Sequence, residues 1–395
     1  MAREEGRRAV KIGVNTLFHV PGDIGGTETY LVETLKEMVA GWPQHRFLFF
    51  TSLSNDRQLR RIFADQPHVR FYRLAFNSAN RPLRILAEQF WLPLVVWRKA
   101  PDVLWSPGYT APCWAGCPQV VTIHDLQYKS HPEDMSWLEK TTLDVLVRIA
   151  CRRSTRIIAV SNFSKEEIVR FGFAQEAKVV AIPEGVDASF AIPVTDSQTL
   201  AEFSQLVPLE PPYILCVAHS YPHKNVDLLV EAFAKIAEEI PHTLVLVGKE
   251  RRGEERVQVA VSSGVVPERL VRCKDGVSFP LLKLLYQRAA LFVLPSAYEG
   301  FGLPVLEAMM AGTPVLTSKR ASLPEVAGEH AFYVETLDVQ GLSSKMLAIL
   351  THTFDGPVPD LPAARSWAGK FTWRRGAAQT MAVLRHASGK GDIEP

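Results

Sequence analysis

Two α/β domains, each built on a mostly parallel sheet, are what this sequence predicts, and three observations carry the prediction. The chain has 395 residues, more than a single hydrophobic core usually accommodates. From residue 10 onward, short β-branched or aromatic runs alternate with longer stretches of helical period, the pattern of stacked βαβ units. The alternation lapses once, over 191–212, where Pro, Ser and Thr accumulate, and then restarts.

In the first half the strand runs are VKIGVN (10–15), RFLFF (46–50), VRFYRL (69–74), DVLWS (102–106), QVVTIH (119–124) and RIIAV (156–160). A shorter run, KVVAI, closes at Ile182. Each is apolar on both faces, as a sheet covered by helices on both sides requires. Residues 1–190 are read as the first domain and 191–212 as a linker. The second domain, 213–370, brings YILCVA (213–218), TLVLVG (243–248), LFVLP (291–295), TPVLTS (313–318) and AFYV (331–334). In the tail, Trp373, Ala377, Met381 and Leu384 stand near helical spacing. A terminal amphipathic helix over 371–389, packing back on the first domain, is expected there. Two doubly wound domains of this kind imply a central cleft.

Composition narrows the function. Apolar residues make up 47% and charged residues 22%, the balance of an ordinary globular protein. Lys and Arg number 44 against 42 Asp and Glu, a net charge of +2, which argues against a global nucleic-acid footprint. The five cysteines, Cys113, Cys117, Cys151, Cys216 and Cys273, are odd in number and lack metal-ligand spacing. A reducing compartment and no metal centre are therefore expected. The N-terminus, MAREEGRRAV, lacks the apolar core of a signal peptide, and no stretch is long and apolar enough to span a bilayer. A cytoplasmic protein is expected. One segment leaves two readings open: RPLRILAEQFWLPLVVWRKA (81–100) sets Arg81, Arg84, Arg98 and Lys99 around a dense apolar run with Phe90, Trp91 and Trp97. It suits a core helix interrupted at Pro93, the reading its apolar density favours. It also suits an interfacial helix on the inner face of an anionic membrane.

In an open α/β sheet, ligands sit outside the carboxyl ends of the strands, so the loops after strands carry the chemistry. The stretch EGFGLPVLE encloses a glycine-rich turn between Glu299 and Glu307. A helix is expected from Pro304 to near Gly312, with Glu307 in its first turn. Two carboxylates that accept from hydroxyls, around the amides of Gly300, Phe301, Gly302 and Leu303, suit a ligand with a ribose and a diphosphate. Taken singly, Glu307 could merely complement a helix dipole and Glu299 be solvated. After the first strand of the second domain, Lys224 stands before a helix, where an ammonium meets a phosphate as a point charge, with His219 and His223 nearby in sequence. Surface lysines are common, so Lys224 alone says little. Gly25 and Gly26 precede the first helix and permit close backbone approach to a ligand, or simply form a tight turn. His124 and Asp125 end a strand and are expected to point across the cleft, the alternative being a structural pair.

Together these residues resemble a known family. The segment PSAYEGFGLPVLEAMMAGTPV, with its E-x7-E spacing, joins GGTE (25–28), HDL (124–126), VSNFSK (160–165), IPEGVD (182–187), PHKN (222–225) and SLPEVAG (322–328). Over about 10–387 the chain is similar to retaining GT-B glycosyltransferases of family 4 (group 1), most of all its mannosyl- and rhamnosyl-type branch. That resemblance implies a GT-B fold of two Rossmann-like domains and transfer of a hexose from a nucleotide sugar, with GDP-mannose the donor to test first. The acceptor it implies is a saccharide or a lipid-linked glycan. It further implies that Glu299 binds the sugar hydroxyls, Glu307 the ribose and Lys224 the diphosphate. Gly26 would approach the phosphate, and His124 would contact the sugar near the reacting carbon. One departure stands out: many members carry Arg where this chain has His219. Either His219 is protonated when donor binds or Lys224 works more alone.

No D-x-D sequence occurs, so no metal on the diphosphate is expected and no cofactor beyond the nucleotide sugar itself. Cations and amide dipoles aimed at the departing diphosphate are then the largest expected contribution to rate. Because the resemblance sets Glu299 at the sugar hydroxyls rather than beneath the anomeric carbon, front-face attack is preferred over double displacement. Rival readings are a GT-B epimerase or phosphorylase, and an inactive sugar-nucleotide-binding module.

Overall fold

The computed structural model describes residues 9–22, 25–132, 135–207, 212–264 and 267–390. These fall into two units: the first holds residues up to 126, 135–185 and the chain from 372, and the second holds 127–132 and 186–371.

The first unit's sheet has seven strands, β1 (Lys11–Asn15), β2 (Arg46–Ser52), β3 (Val69–Leu74), β4 (Val103–Ser106), β5 (Gln119–Ile123), β6 (Arg156–Ala159) and β7 (Val179–Ala181). They lie in the order β3-β2-β1-β4-β5-β6-β7, all neighbours parallel. The second unit repeats the pattern with β8 (Tyr213–Val217), β9 (Thr243–Val247), β10 (Leu270–Cys273), β11 (Leu291–Leu294), β12 (Val315–Ser318) and β13 (Phe332–Val334). Their order is β10-β9-β8-β11-β12-β13, again all parallel. Ile214 on β8 stands opposite Leu244 on one side and Leu291 on the other. In each sheet the winding reverses beside the first strand, at β1/β4 and at β8/β11, which is where ligands bind in doubly wound sheets.

Helices cover these sheets for the reason the periodicity suggests. The helix Val226–Ile236 buries Val226, Leu229, Val230, Phe233 and Ile236 among Ile214, Leu244 and Leu246 of the strands. The last helix, Trp373–Ala387, sinks Trp373, Ala377, Met381 and Leu384 into the first unit beside the helix Gly26–Gly41. Its approach requires Gly185: a Cβ there would stand 2.2 Å from the Trp373 backbone nitrogen.

Three features depart from the sequence reading. Strand β10 was not anticipated, because Arg272 breaks its apolar run; the guanidinium is held by Glu254 at 2.8 and 3.0 Å, and the strand lies at the sheet edge. The supposed linker carries a helix, Ser197–Leu206, capped by Asp196 on the Thr199 amide at 2.8 Å and anchored by buried Phe203. Residues 208–211 of that segment, and 1–8 at the start, lie outside the described residues. Pro93 does not interrupt its helix: Arg81–Leu86 and Leu92–Lys99 are joined by a π-helical turn, Ala87–Trp91. Proline lacks an amide hydrogen and crowds the preceding turn, and the wider π turn relieves both.

Candidate active site

In the second unit the loops after β8 and β11 are stitched together by the backbone. After β8 the chain makes a 3-10 turn, Pro222–Lys224, and enters the helix Val226–Ile236 through Asn225, held in the left-handed region at φ 53°. Asparagine tolerates that conformation better than most residues. Its side-chain amide donates to the Pro295 carbonyl at 2.9 Å, and the His223 carbonyl accepts the Ala297 amide at 2.7 Å. Lys224 is thereby fixed beside the loop that follows β11.

The consequence is a charged pair at the point where the winding reverses. Lys224 Nζ donates to Glu299 Oε2 at 2.6 Å, and the two side chains are only 20% and 10% exposed. The other carboxylate oxygen, Oε1, accepts from Ser296 Oγ at 2.8 Å. Below it, buried Ser322 lies within bonding distance of the Glu299 and Phe301 carbonyls, at 2.9 and 2.7 Å, and so shapes the turn. Gly302 closes that turn at φ 108°, where a Cβ would also meet Leu323 at 3.0 Å. The helix Leu303–Ala311 follows with no side chain capping its N-terminus, which leaves a positive dipole end beside Gly300, Phe301, Gly302 and Leu303.

Glu307 stands in the second turn of that helix, not the first as the sequence reading had it, because the helix begins at Leu303. One turn further in, it meets a buried neighbour: Tyr286 donates its hydroxyl to Glu307 Oε2 at 2.8 Å. Burial, with the Glu307 charge beside it, raises the Tyr286 phenol well above its ordinary range.

Of the two nearby histidines, His223 is buried, stacks on Tyr221 with ring centres 5.7 Å apart, and pairs its Nδ1 with Gln127 Nε2 at 2.8 Å. His219 accepts the Lys249 amide on Nδ1 at 2.9 Å.

In the first unit, Gly25, with φ 60°, caps the helix Gly26–Gly41 directly after β1, and both glycines are exposed. Glu28 folds back to accept the Gly22 amide at 2.7 Å and steadies this entry. His124 is buried. Its Nε2 bonds the Pro107 carbonyl at 2.9 Å and its Nδ1 faces Glu184 at 3.3 Å, with the ring edge-on to Tyr30. Asp125 accepts from the Tyr109 hydroxyl at 2.7 Å, and the His124 carbonyl from Ser164 Oγ at 2.9 Å.

Residues 24–190 match the family model Glycosyltransferase Family 4, and residues 211–352 match Glycosyl transferases group 1. Over 271 residues the chain is 30% identical to O-antigen chain mannosyltransferase B of Escherichia coli, spanning 66% of this chain and 68% of that protein. The chain belongs to glycosyltransferase family 4. It is also 27% identical to the O-antigen chain mannosyltransferase RfbU of Salmonella typhimurium, over 68% of this chain and 71% of that one. Among solved structures, Anabaena Alr3699/HepE in complex with UDP and glucose matches with a TM-score of 0.69 at 20% identity, covering 95% of this chain and 100% of that one. The fold of this family 4 glycosyltransferase is GT-B.

Four residues that contact the candidate residues or their loops had not been singled out. Glu184 and Ser322 lie inside IPEGVD and SLPEVAG, motifs already conspicuous in the sequence. Ser296 is three residues before Glu299, a spacing that could have flagged it. Tyr286, in the middle of an ordinary amphipathic helix, carried no signal.

Proposed function

We propose that this glycosyltransferase moves mannose from a nucleotide sugar, GDP-mannose in the first instance, to a saccharide or lipid-linked glycan with retention at the anomeric carbon. The reading includes polysaccharide assembly at the cytoplasmic face of the inner membrane. The observation that carries it is the Lys224–Glu299 pair at the β8/β11 switch. A diphosphate arriving at these strand ends competes for the Lys224 ammonium, and Glu299 Oε2 is released to accept a sugar hydroxyl while Ser296 holds Oε1. Bond cleavage moves negative charge onto the diphosphate. Lys224 and the uncapped helix end at Leu303 are preorganised for it, so they stabilise the transition state more than the ground state. Glu307, oriented by Tyr286, takes the ribose. Glu299 is engaged as an acceptor at both oxygens, which suits sugar binding better than nucleophilic attack, so the acceptor hydroxyl attacks from the face the leaving phosphate vacates and passes its proton to that phosphate. With no D-x-D sequence, no metal is invoked. The choice of mannose follows the names of the Escherichia coli and Salmonella relatives.

A thermal-shift screen with GDP-mannose, UDP-glucose and ADP- and dTDP-sugars tests the donor, since a ligand that binds only the native state raises the melting temperature. GDP-mannose is expected to give the largest shift. A shift with UDP-glucose alone overturns the donor and leaves the enzyme class standing. An inverted anomeric product, read by NMR, overturns the mechanism.

A further inference from the structure

The helical stretch 81–99 is apolar on two faces, and only one is used by the core. Ala87, Leu92 and Val96 pack with Leu48, Phe50 and Leu74. On the other side Phe90, Leu94 and Trp97, spaced i, i+4, i+7, are 69%, 59% and 62% exposed. Two further segments of the first unit extend this exposed face. The loop bearing Trp114 is tied to the helix by Gln89, which accepts the Cys113 amide at 3.0 Å, and the Trp97 and Trp114 rings both flank Gly116. The helix Trp137–Arg153, with Trp137 and Leu138 exposed, is tied to the start of the stretch by the Arg81–Glu139 ion pair at 2.8 Å. Of eight tryptophans in the chain, the four exposed ones, Trp91, Trp97, Trp114 and Trp137, all lie on these segments.

Where the Cys113 loop meets the end of the helix Trp137–Arg153, a cavity of about 400 Å³ is lined by Cys113, Ile149, Arg152 and Arg153. Across 81–100 and 137–153 there are eight basic residues against three acidic, and one of the three, Glu88, is buried. No helix among the described residues is long and apolar enough to cross a membrane.

We propose that this face docks on an anionic phospholipid surface, its aromatic side chains lying in the interface and Arg152 and Arg153 receiving a lipid phosphate at the cavity mouth. Apolar patches of this kind mark interaction sites rather than idle surface. Exposed tryptophan concentrated beside excess basic charge is the chemistry of the bilayer interface, where indole rings sit at headgroup level and cations meet lipid phosphates. Such docking deepens the proposed function by holding the first domain at the surface that carries a lipid-linked acceptor. It is tested without donor or turnover, so either can fail alone.

The experiment is co-sedimentation of the full chain with phosphatidylglycerol-rich or pure phosphatidylcholine vesicles at low and high salt, with tryptophan emission recorded. Three proteins are compared: wild type, a Phe90→Ser, Trp97→Ser variant and an Arg152→Glu, Arg153→Glu variant. A melting transition as cooperative as that of wild type and at a similar temperature shows that each variant is folded. Wild type is expected to pellet with the anionic vesicles at low salt and its emission to move to the blue. Each variant is expected to bind roughly tenfold more weakly or worse, the arginine variant also losing salt dependence. The proposal is overturned if wild type stays in the supernatant with anionic vesicles at low salt. It is equally overturned if both folded variants pellet like wild type, or if wild type is a dimer that the Phe90→Ser, Trp97→Ser changes dissociate and that ignores vesicles, since a second copy then covers the face.

Discussion

The fully buried phenol of Tyr286 donates to Glu307 Oε2 at 2.8 Å, so the carboxylate is aimed from beneath rather than left to swing. Burial and the adjacent charge keep the phenol protonated well above neutral pH, and the bond persists across the working range. Tyr286→Phe is therefore expected to weaken binding of the free nucleotide about 3–10-fold, the worth of one such bond, with turnover little changed. Glu307→Ala should weaken it further. Calorimetry checks both, and unchanged affinity in the Glu307 variant counts against the ribose role.

Removing one member of the Lys224–Glu299 pair should cost stability as well as rate. Lys224→Ala leaves a largely buried carboxylate without its ammonium, a loss of about 1–3 kcal/mol. The double variant with Glu299→Ala should recover part of that stability and none of the activity. Turnover is expected to fall about 100-fold or more in either single variant, since both act where charge develops. Denaturant melts and initial rates on the same preparations separate the two effects. Recovered activity in the double variant would refute the assignment.

Transfer should continue in the presence of EDTA if, as proposed, Lys224 and helix dipoles supply the positive charge at the diphosphate. Initial rates with and without chelator decide this, and loss of activity restored by manganese would show that a metal takes part.

Acidification is expected to destabilise the fold between about pH 6.5 and 5. His19, His45 and His242 each have one buried ring nitrogen without a hydrogen-bond partner. Burial lowers the pKa of all three, helped by Arg385 at His45 and Arg269 at His242, and at His19 it outweighs the opposing Gln58 bond and Glu28 charge. With native values below the ordinary 6.5, the unfolded chain takes up protons that the native chain refuses. Stability present above that pH is lost as pH falls toward the native values. Urea midpoints should drop from pH 7 to 5.5, and His45→Gln should lessen the drop. A midpoint that rises on acidification contradicts the account.

Strand type and order along the chain were legible because alternation and apolar runs are local properties. β10 escaped because the feature hiding it, Arg272, is neutralised by Glu254, 18 residues away in sequence. The helix Ser197–Leu206 escaped because polar residues that suggest a loop also cap a helix, and only the burial of Phe203 separates the two. For the segment 81–100, composition set a core helix against an interfacial one; folded, the helix packs Ala87, Leu92 and Val96 into the core and leaves Phe90, Leu94 and Trp97 exposed.

By itself the sequence determined most of the element types, the E-x7-E spacing of Glu299 and Glu307, the place of Lys224 just before a helix and the family. All of these rest on residues near one another in the chain, where periodicity and motif spacing act. The tertiary structure decided the partners: Lys224 with Glu299 across 75 residues, Glu307 with Tyr286 across 21, and His124 turned toward Glu184 across 60. A side chain's direction follows from which acceptor or cation the fold brings within 3 Å or so, and burial then makes that partner obligatory. No local pattern encodes that meeting, because it exists only after the parallel sheets have set distant loops side by side at the ends of their strands.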